Sequence, residues 1–221
     1  MVTRTSSFWS STVGKKIVMA VSGLIMVGFV VLHMAGNLQI FEGSAKLNTY
    51  SSFLHGPANE LLWIVRVVLI VALIAHIVSA YQLTMLDRAA RPVAYEMRKL
   101  QAATIGSRTM RIGGVLLAVF IVLHILHFTT LTLQPAPLVE GDVYANAIAS
   151  FQLWWVTFIY VIAMIFLGLH LYHGLWSSVR TLGFERGRLD PFKRPVAITL
   201  ALIVWAGFTI VPVAVYFHLV Q

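Results

Sequence analysis

The chain has 221 residues, 59% of them hydrophobic and only 11% charged, where a soluble domain carries roughly 25% charged residues. With a mean hydropathy of +0.84, this composition excludes a soluble enzyme and describes one integral-membrane domain, residues 1–221. Cysteine is absent, which excludes disulfides and thiolate-ligated metal centres within the chain. No Gly-rich phosphate loop or dinucleotide fingerprint occurs. A net charge of +8 with a pI near 10.1 would suggest nucleic acid in a soluble protein, but here membrane topology accounts for it and no nucleic-acid partner is expected.

Five apolar stretches are long enough to cross a bilayer, at about 20 residues each. They run approximately over 17–40, 61–86, 112–133, 152–179 and 196–219, which predicts an all-α protein of five transmembrane helices. The basic start (Arg4, Lys15, Lys16) leads into an apolar run too long for the core of a cleavable signal peptide. Polar and Pro/Gly-bearing connections, such as 134–141 and 183–195, separate the spans. Arg66 is the one formal charge well inside a span.

Basic residues are unevenly shared among the connections. Arg88, Arg91, Arg98, Lys99, Arg108 and Arg111 lie between the second and third spans. Arg180, Arg186, Arg188, Lys193 and Arg194 lie between the fourth and fifth. The opposite loops hold only Lys46, beside Glu42, Glu60, Glu140 and Asp142. The positive-inside rule therefore places the N-terminus in the cytoplasm and the C-terminus outside.

Four of the eight histidines, His33, His76, His124 and His170, lie within the first four spans, one in each. Lipid penalises polar side chains, so an intramembrane histidine marks a functional site by default. Orientation turns sequence positions into depths. His76 and His170 fall roughly 14–15 Å from the inner ends of their spans, and His33 and His124 roughly 20–25 Å from theirs, at 1.5 Å per residue. The four sort into two levels, each served by two helices. Imidazole is the usual axial ligand where haem iron stays six-coordinate and carries electrons, so two haems stacked across the membrane are expected. The simpler account, histidines that merely bond neighbouring helices, fits one such residue better than four in matched pairs. Gly23 and Gly28 before His33, Gly113 and Gly114 before His124, and Gly168 before His170 offer short side chains where a macrocycle must slide in. Close helix packing would use them equally well.

His127 and His173 each follow a span histidine by three residues and can share its helix face. Spacing alone does not say which member of either doublet ligates iron. A zinc or copper site at that spacing lacks any supporting carboxylate or cysteine. His55 and His218 fall at the outer boundary.

At this point the chain resembles the membrane anchor of succinate:quinone oxidoreductases, the five-helix di-haem cytochrome b subunit of succinate dehydrogenases and fumarate reductases (the b558 type). The matching segments are 22–38 (SGLIMVGFVVLHMAGNL), 111–124 (RIGGVLLAVFIVLH) and 170–177 (HLYHGLWS). In that family the fourth-helix ligand stands four residues before Gly-Leu-Trp, which implies His170. The third-helix ligand follows an arginine by thirteen residues, which from Arg111 implies His124. The resemblance implies two haems b, the proximal one on His76 and His170 and the distal one on His33 and His124. Some menaquinol-oxidising members carry a glutamate two residues before the fourth-helix ligand as a proton route. Gly168 stands there in this chain.

The resemblance further implies flavoprotein and iron–sulfur partners on the cytoplasmic face, with no flavin or iron–sulfur cluster in this chain. Electrons would pass to or from a membrane quinone such as menaquinone, in succinate oxidation or fumarate reduction, within a bacterial cytoplasmic membrane. The whole complex can assemble further. Haem propionates need cationic or hydrogen-bonding partners in a low-dielectric site; Arg66 leads, followed by Arg111, Ser22, Asn37, His55, Trp176 and His173. A quinone site is expected either near Glu60 at the outer mouth of the second span or near Trp176 by the inner loops. Two alternatives remain: the cytochrome b anchor of a hydrogenase or formate dehydrogenase, and a haem-free membrane scaffold or transporter.

Overall fold

The computed structural model describes residues 8–90, 105–183 and 190–221. Of the basic residues above, Arg4, Arg91, Arg98, Lys99, Arg186, Arg188 and the side chain of Lys193 lie outside that set. Among the described residues the structure is helical, without strands. The helices are α1 (Thr12–Leu38), α2 (Ser44–His55), α3 (Asn59–Ala89), α4 (Ile105–His124), α5 (Val143–Phe151), α6 (Trp154–Thr181) and α7 (Asp190–Tyr216). Five of them are long and apolar enough to span a membrane, the shortest apolar stretch being 23 residues. At 1.5 Å per residue that exceeds the roughly 30 Å hydrocarbon core.

Helix ends depart from the hydropathy reading where polar chemistry, not apolarity, sets the boundary. α1 begins at Thr12, before Lys15 and Lys16, because the Ser11 hydroxyl accepts the Gly14 N–H at 2.9 Å and caps the first turn. α4 starts at Ile105, so Arg108 and Arg111 are helical. It closes in a π-helical turn, Ile125–Thr129, and Leu131 then takes a positive φ of 53°. That ends the third span short of 133. α7 carries Pro195 in its opening turns and stops at Tyr216, short of 219, with His218 at φ 55°. α2 and α5 lie in stretches read as connections. α5 is capped by Asp142, whose carboxylate accepts from Ala145 N at 3.0 Å.

α1 and α6 form the central pair. α3 packs on α1, α4 packs on α6, and α7 packs against both α1 and α6. No extended contact joins α1 to α4 or α3 to α6. One end of the bundle is closed by α2 and α5, over a core of Ile40, Leu47, Ala147, Phe151, Val156, Val211 and Val215. The Asn48 amide donates to Asp142 at 2.8 Å, and the Asn48 carbonyl oxygen accepts from Tyr144 N at 3.0 Å. The Ala145 N–H, contributing most, and the Asn48 amide next hold the Asp142 carboxyl below its usual range. The opposite, basic end holds Arg88, Arg108, Arg111, Arg180 and Arg194, at the ends of α3, α4, α6 and α7.

Candidate functional site

The four span histidines meet in two pairs, and each pair bridges helices whose backbones do not pack together. His33 of α1 faces His124 of α4 with ring centres 5.8 Å apart. His76 of α3 faces His170 of α6 with ring centres 6.1 Å apart. The sequence-derived pairing is the one the fold brings together. The first pair lies toward the capped end and the second toward the basic end.

The second pair is anchored by backbone. His76 Nδ1 lies 3.0 Å from the carbonyl oxygen of Met19 and 3.4 Å from Ser22 Oγ. A carbonyl can only accept, so Nδ1 carries the proton and Nε2 keeps its lone pair. Ser22 is buried and spends its own proton on Val18 O at 2.7 Å, so it supports the His76 ring. Gly23 sits so close that a Cβ there would come within 3.2 Å of His76 Cε1. Gly114 lies opposite His170, with room for a Cβ at 3.8 Å from Cε1. Of the other glycines, Gly113 abuts Phe166, Gly168 abuts Trp205, and Gly28 meets open space. Gly168 therefore serves α6–α7 packing. His170 Nδ1 is buried with no hydrogen-bond partner, as is His173 Nδ1.

The first pair is set in aromatic rings. Phe29 stacks on His33 at 5.2 Å and Phe120 on His124 at 5.9 Å, each four residues before its histidine. Here the π turn matters. His127 bonds with both ring nitrogens, Nδ1 to the Tyr160 hydroxyl and Nε2 to Ser150 Oγ, each at 2.9 Å. Neither nitrogen is left with a spare lone pair for a metal, which separates the His124–His127 doublet on hydrogen bonding alone. Tyr160 and Ser150 were not singled out in the sequence; a tyrosine in mid-span was the available signal.

The remaining expected residues divide by location. The Arg66 guanidinium lies over Trp63 at 5.0 Å and 3.5 Å from His55 Nε2, so it is drawn toward the capped rim. His55 Nδ1 donates to Ser51 O at 2.9 Å. Arg111 pairs with Asp87 at 3.2 Å across the α3 and α4 ends, both exposed. Glu60 is exposed in the first turn of α3. Trp176 lies under both Arg180 and Arg194 at 5.4 Å each, and Arg194 also donates twice to the Tyr172 hydroxyl, at 3.0 and 3.2 Å. An apolar groove of about 380 Å³ runs between α6 and α7 from Trp205 to Tyr172, lined also by Ile165, Gly168, Ile198 and Leu202. Among the described residues no cluster of three or more His, Cys, Asp or Glu could hold a bare metal ion.

Fold and site define a multi-pass helical membrane protein with two cross-helix histidine pairs. The family of succinate dehydrogenase/fumarate reductase transmembrane subunits matches residues 87–214, more than half of the chain. The chain belongs to that family, and its role is that of a membrane anchor in such a complex. No curated protein and no solved structure gives a significant match.

Proposed function

We propose that this anchor holds two b-type haems, one between His76 and His170 and one between His33 and His124, and carries electrons between an iron–sulfur subunit and a membrane quinone. The observation that carries the reading is the separation of the two ring pairs, 5.8 and 6.1 Å. Two imidazoles sharing one metal through bonds of about 2 Å have ring centres about 6 Å apart. Both pairs span gaps where helix backbones stay apart, as an inserted planar group requires. The Met19 carbonyl fixes His76 in the ligating tautomer. Bis-histidine haem supplies reversible one-electron transfer with no open position for oxygen.

The basic end is the cytoplasmic face on this reading, where flavoprotein and iron–sulfur subunits dock and the N-terminus lies, in a bacterial inner membrane. Of the two expected quinone positions, the one near Trp176 gains support. The α6–α7 groove is apolar along its length and ends at Tyr172, whose hydroxyl and attached Arg194 supply hydrogen-bond donors for a quinone oxygen. Tyr172 is two residues from His170, hence on the far side of a helix about 10 Å across. The test is pyridine-haemochrome quantitation with a reduced-minus-oxidised spectrum on the purified complex. Two haems b per chain are expected; a folded complex without haem overturns the reading.

A further inference from the structure

Behind His124 runs a chain of polar side chains that ligation itself does not require. The Tyr160 hydroxyl lies 3.4 Å from His124 Nδ1 and 2.9 Å from His127 Nδ1. His127 Nε2 in turn lies 2.9 Å from Ser150 Oγ. His127 is 3% exposed and Ser150 0%. Phe128 stacks on His127 at 4.0 Å, and Phe151 packs edge-on against Tyr160 at 5.0 Å. Polar groups this deep must bond one another, because no water competes for them.

Proton count allows the chain two concerted directions. A tyrosine hydroxyl owns one proton, so it donates to one histidine and accepts from the other. In one arrangement His124 Nδ1–H donates to Tyr160, Tyr160 donates to His127 Nδ1, and His127 Nε2–H donates to Ser150. In the reverse arrangement Ser150 donates inward, Tyr160 donates to His124 Nδ1, and the His124 proton sits on Nε2. Only the first leaves the Nε2 lone pair of His124 available on the side of His33.

We propose that Tyr160, oriented by His127 and Ser150, is the positioning residue that holds His124 in its ligating tautomer and sets the potential of the haem it would bind. The proposal rests on the bis-histidine reading above. His76 receives the same service from Met19 O, which can only accept. The hydroxyl of Tyr160 faces either way, as do His127 and the Ser150 hydroxyl, so the relay can follow His124: a metal held at His124 Nε2 would select the first arrangement, which His127 and Ser150 complete by accepting and passing on the hydrogen bond. A hydrogen bond at Nδ1–H makes a ligating imidazole more basic, which favours the oxidised metal. Its loss raises the potential.

The experiment is a redox titration of both haems in the purified complex, read optically and by electron paramagnetic resonance, for wild type, Tyr160→Phe and Ser150→Ala. The distal signal is identified by its absence in His33→Leu. In Tyr160→Phe the distal haem alone shifts upward by about tenfold in its oxidation equilibrium, about 59 mV for a one-electron couple. Ser150→Ala shifts the same haem in the same direction by less. Should Tyr160→Phe fail to assemble, Ser150→Ala decides. Unchanged distal potential and resonance in an assembled variant, or an equal shift of both haems, overturns the proposal. Wild-type complex lacking the distal haem overturns the underlying bis-histidine reading instead.

Discussion

The two histidine levels solve one problem with different materials. At the level of His76 and His170, orientation comes from the α1 backbone through Met19 O, and space comes from Gly23 and Gly114. At the level of His33 and His124, orientation comes from side chains, Tyr160 and His127, and the surroundings are phenylalanine rings. The backbone-anchored level should therefore tolerate side-chain changes at a distance and fail when backbone spacing is invaded. The side-chain-anchored level should do the reverse.

Invading the spacing has the largest expected effect. Gly23→Val places atoms where even a Cβ would sit 3.2 Å from His76 Cε1, tighter than ordinary van der Waals contact. Haem content should fall from two to one per chain, with the distal spectrum intact. Gly114→Ala is the matched control: its Cβ would lie 3.8 Å from His170, an ordinary contact, and both haems should remain.

Cutting the side-chain network comes next. His127→Leu leaves the buried Ser150 hydroxyl and the partly buried Tyr160 hydroxyl each short of a partner, at a cost of about 1–3 kcal/mol for the buried group and less for the other. Thermal denaturation of the complex should show a clearly lowered Tm, and the distal haem signal should change while the proximal one does not. Equal damage to both levels would dissolve the comparison.

The smallest effect belongs to the capped end. Asp142→Ala removes the α5 cap and the Asn48 bond, worth about 1 kcal/mol. The Asp142 carboxyl is held below its ordinary value of 3.8 by its two donors. Its contribution is therefore full above that value and is lost as pH falls through the lower, folded value. Because the group is only partly buried, solvent screening keeps the loss modest. A Tm series descending from pH 5 should fall more steeply in wild type than in Asp142→Ala.

The spans and the pairing were legible because hydropathy, charge bias and a 1.5 Å rise are one-dimensional properties. Ser11 and Asp142 as helix caps were also legible in principle, since each precedes a helix by one residue. What hydropathy missed, it missed for that reason: hydrated Lys15 and Arg108 lie in helical turns that carry little apolar signal. α2 has little apolar character of its own. The distinct role of His127 depends on a π turn and on Ser150 and Tyr160, which are 23 and 33 residues away. No local spacing encodes that meeting. Arg66 shows the converse. A charge inside a span drew attention, and the fold turns it toward His55 and Trp63 at the rim.

Haem content of paired ligand knockouts tests the central claim most directly. The account predicts that His76→Leu combined with His170→Leu leaves one haem per chain, as does His33→Leu combined with His124→Leu. The crossed combination, His76→Leu with His124→Leu, should leave none. One haem retained in the crossed variant, or none in either same-level variant of a folded complex, would contradict the two-level arrangement.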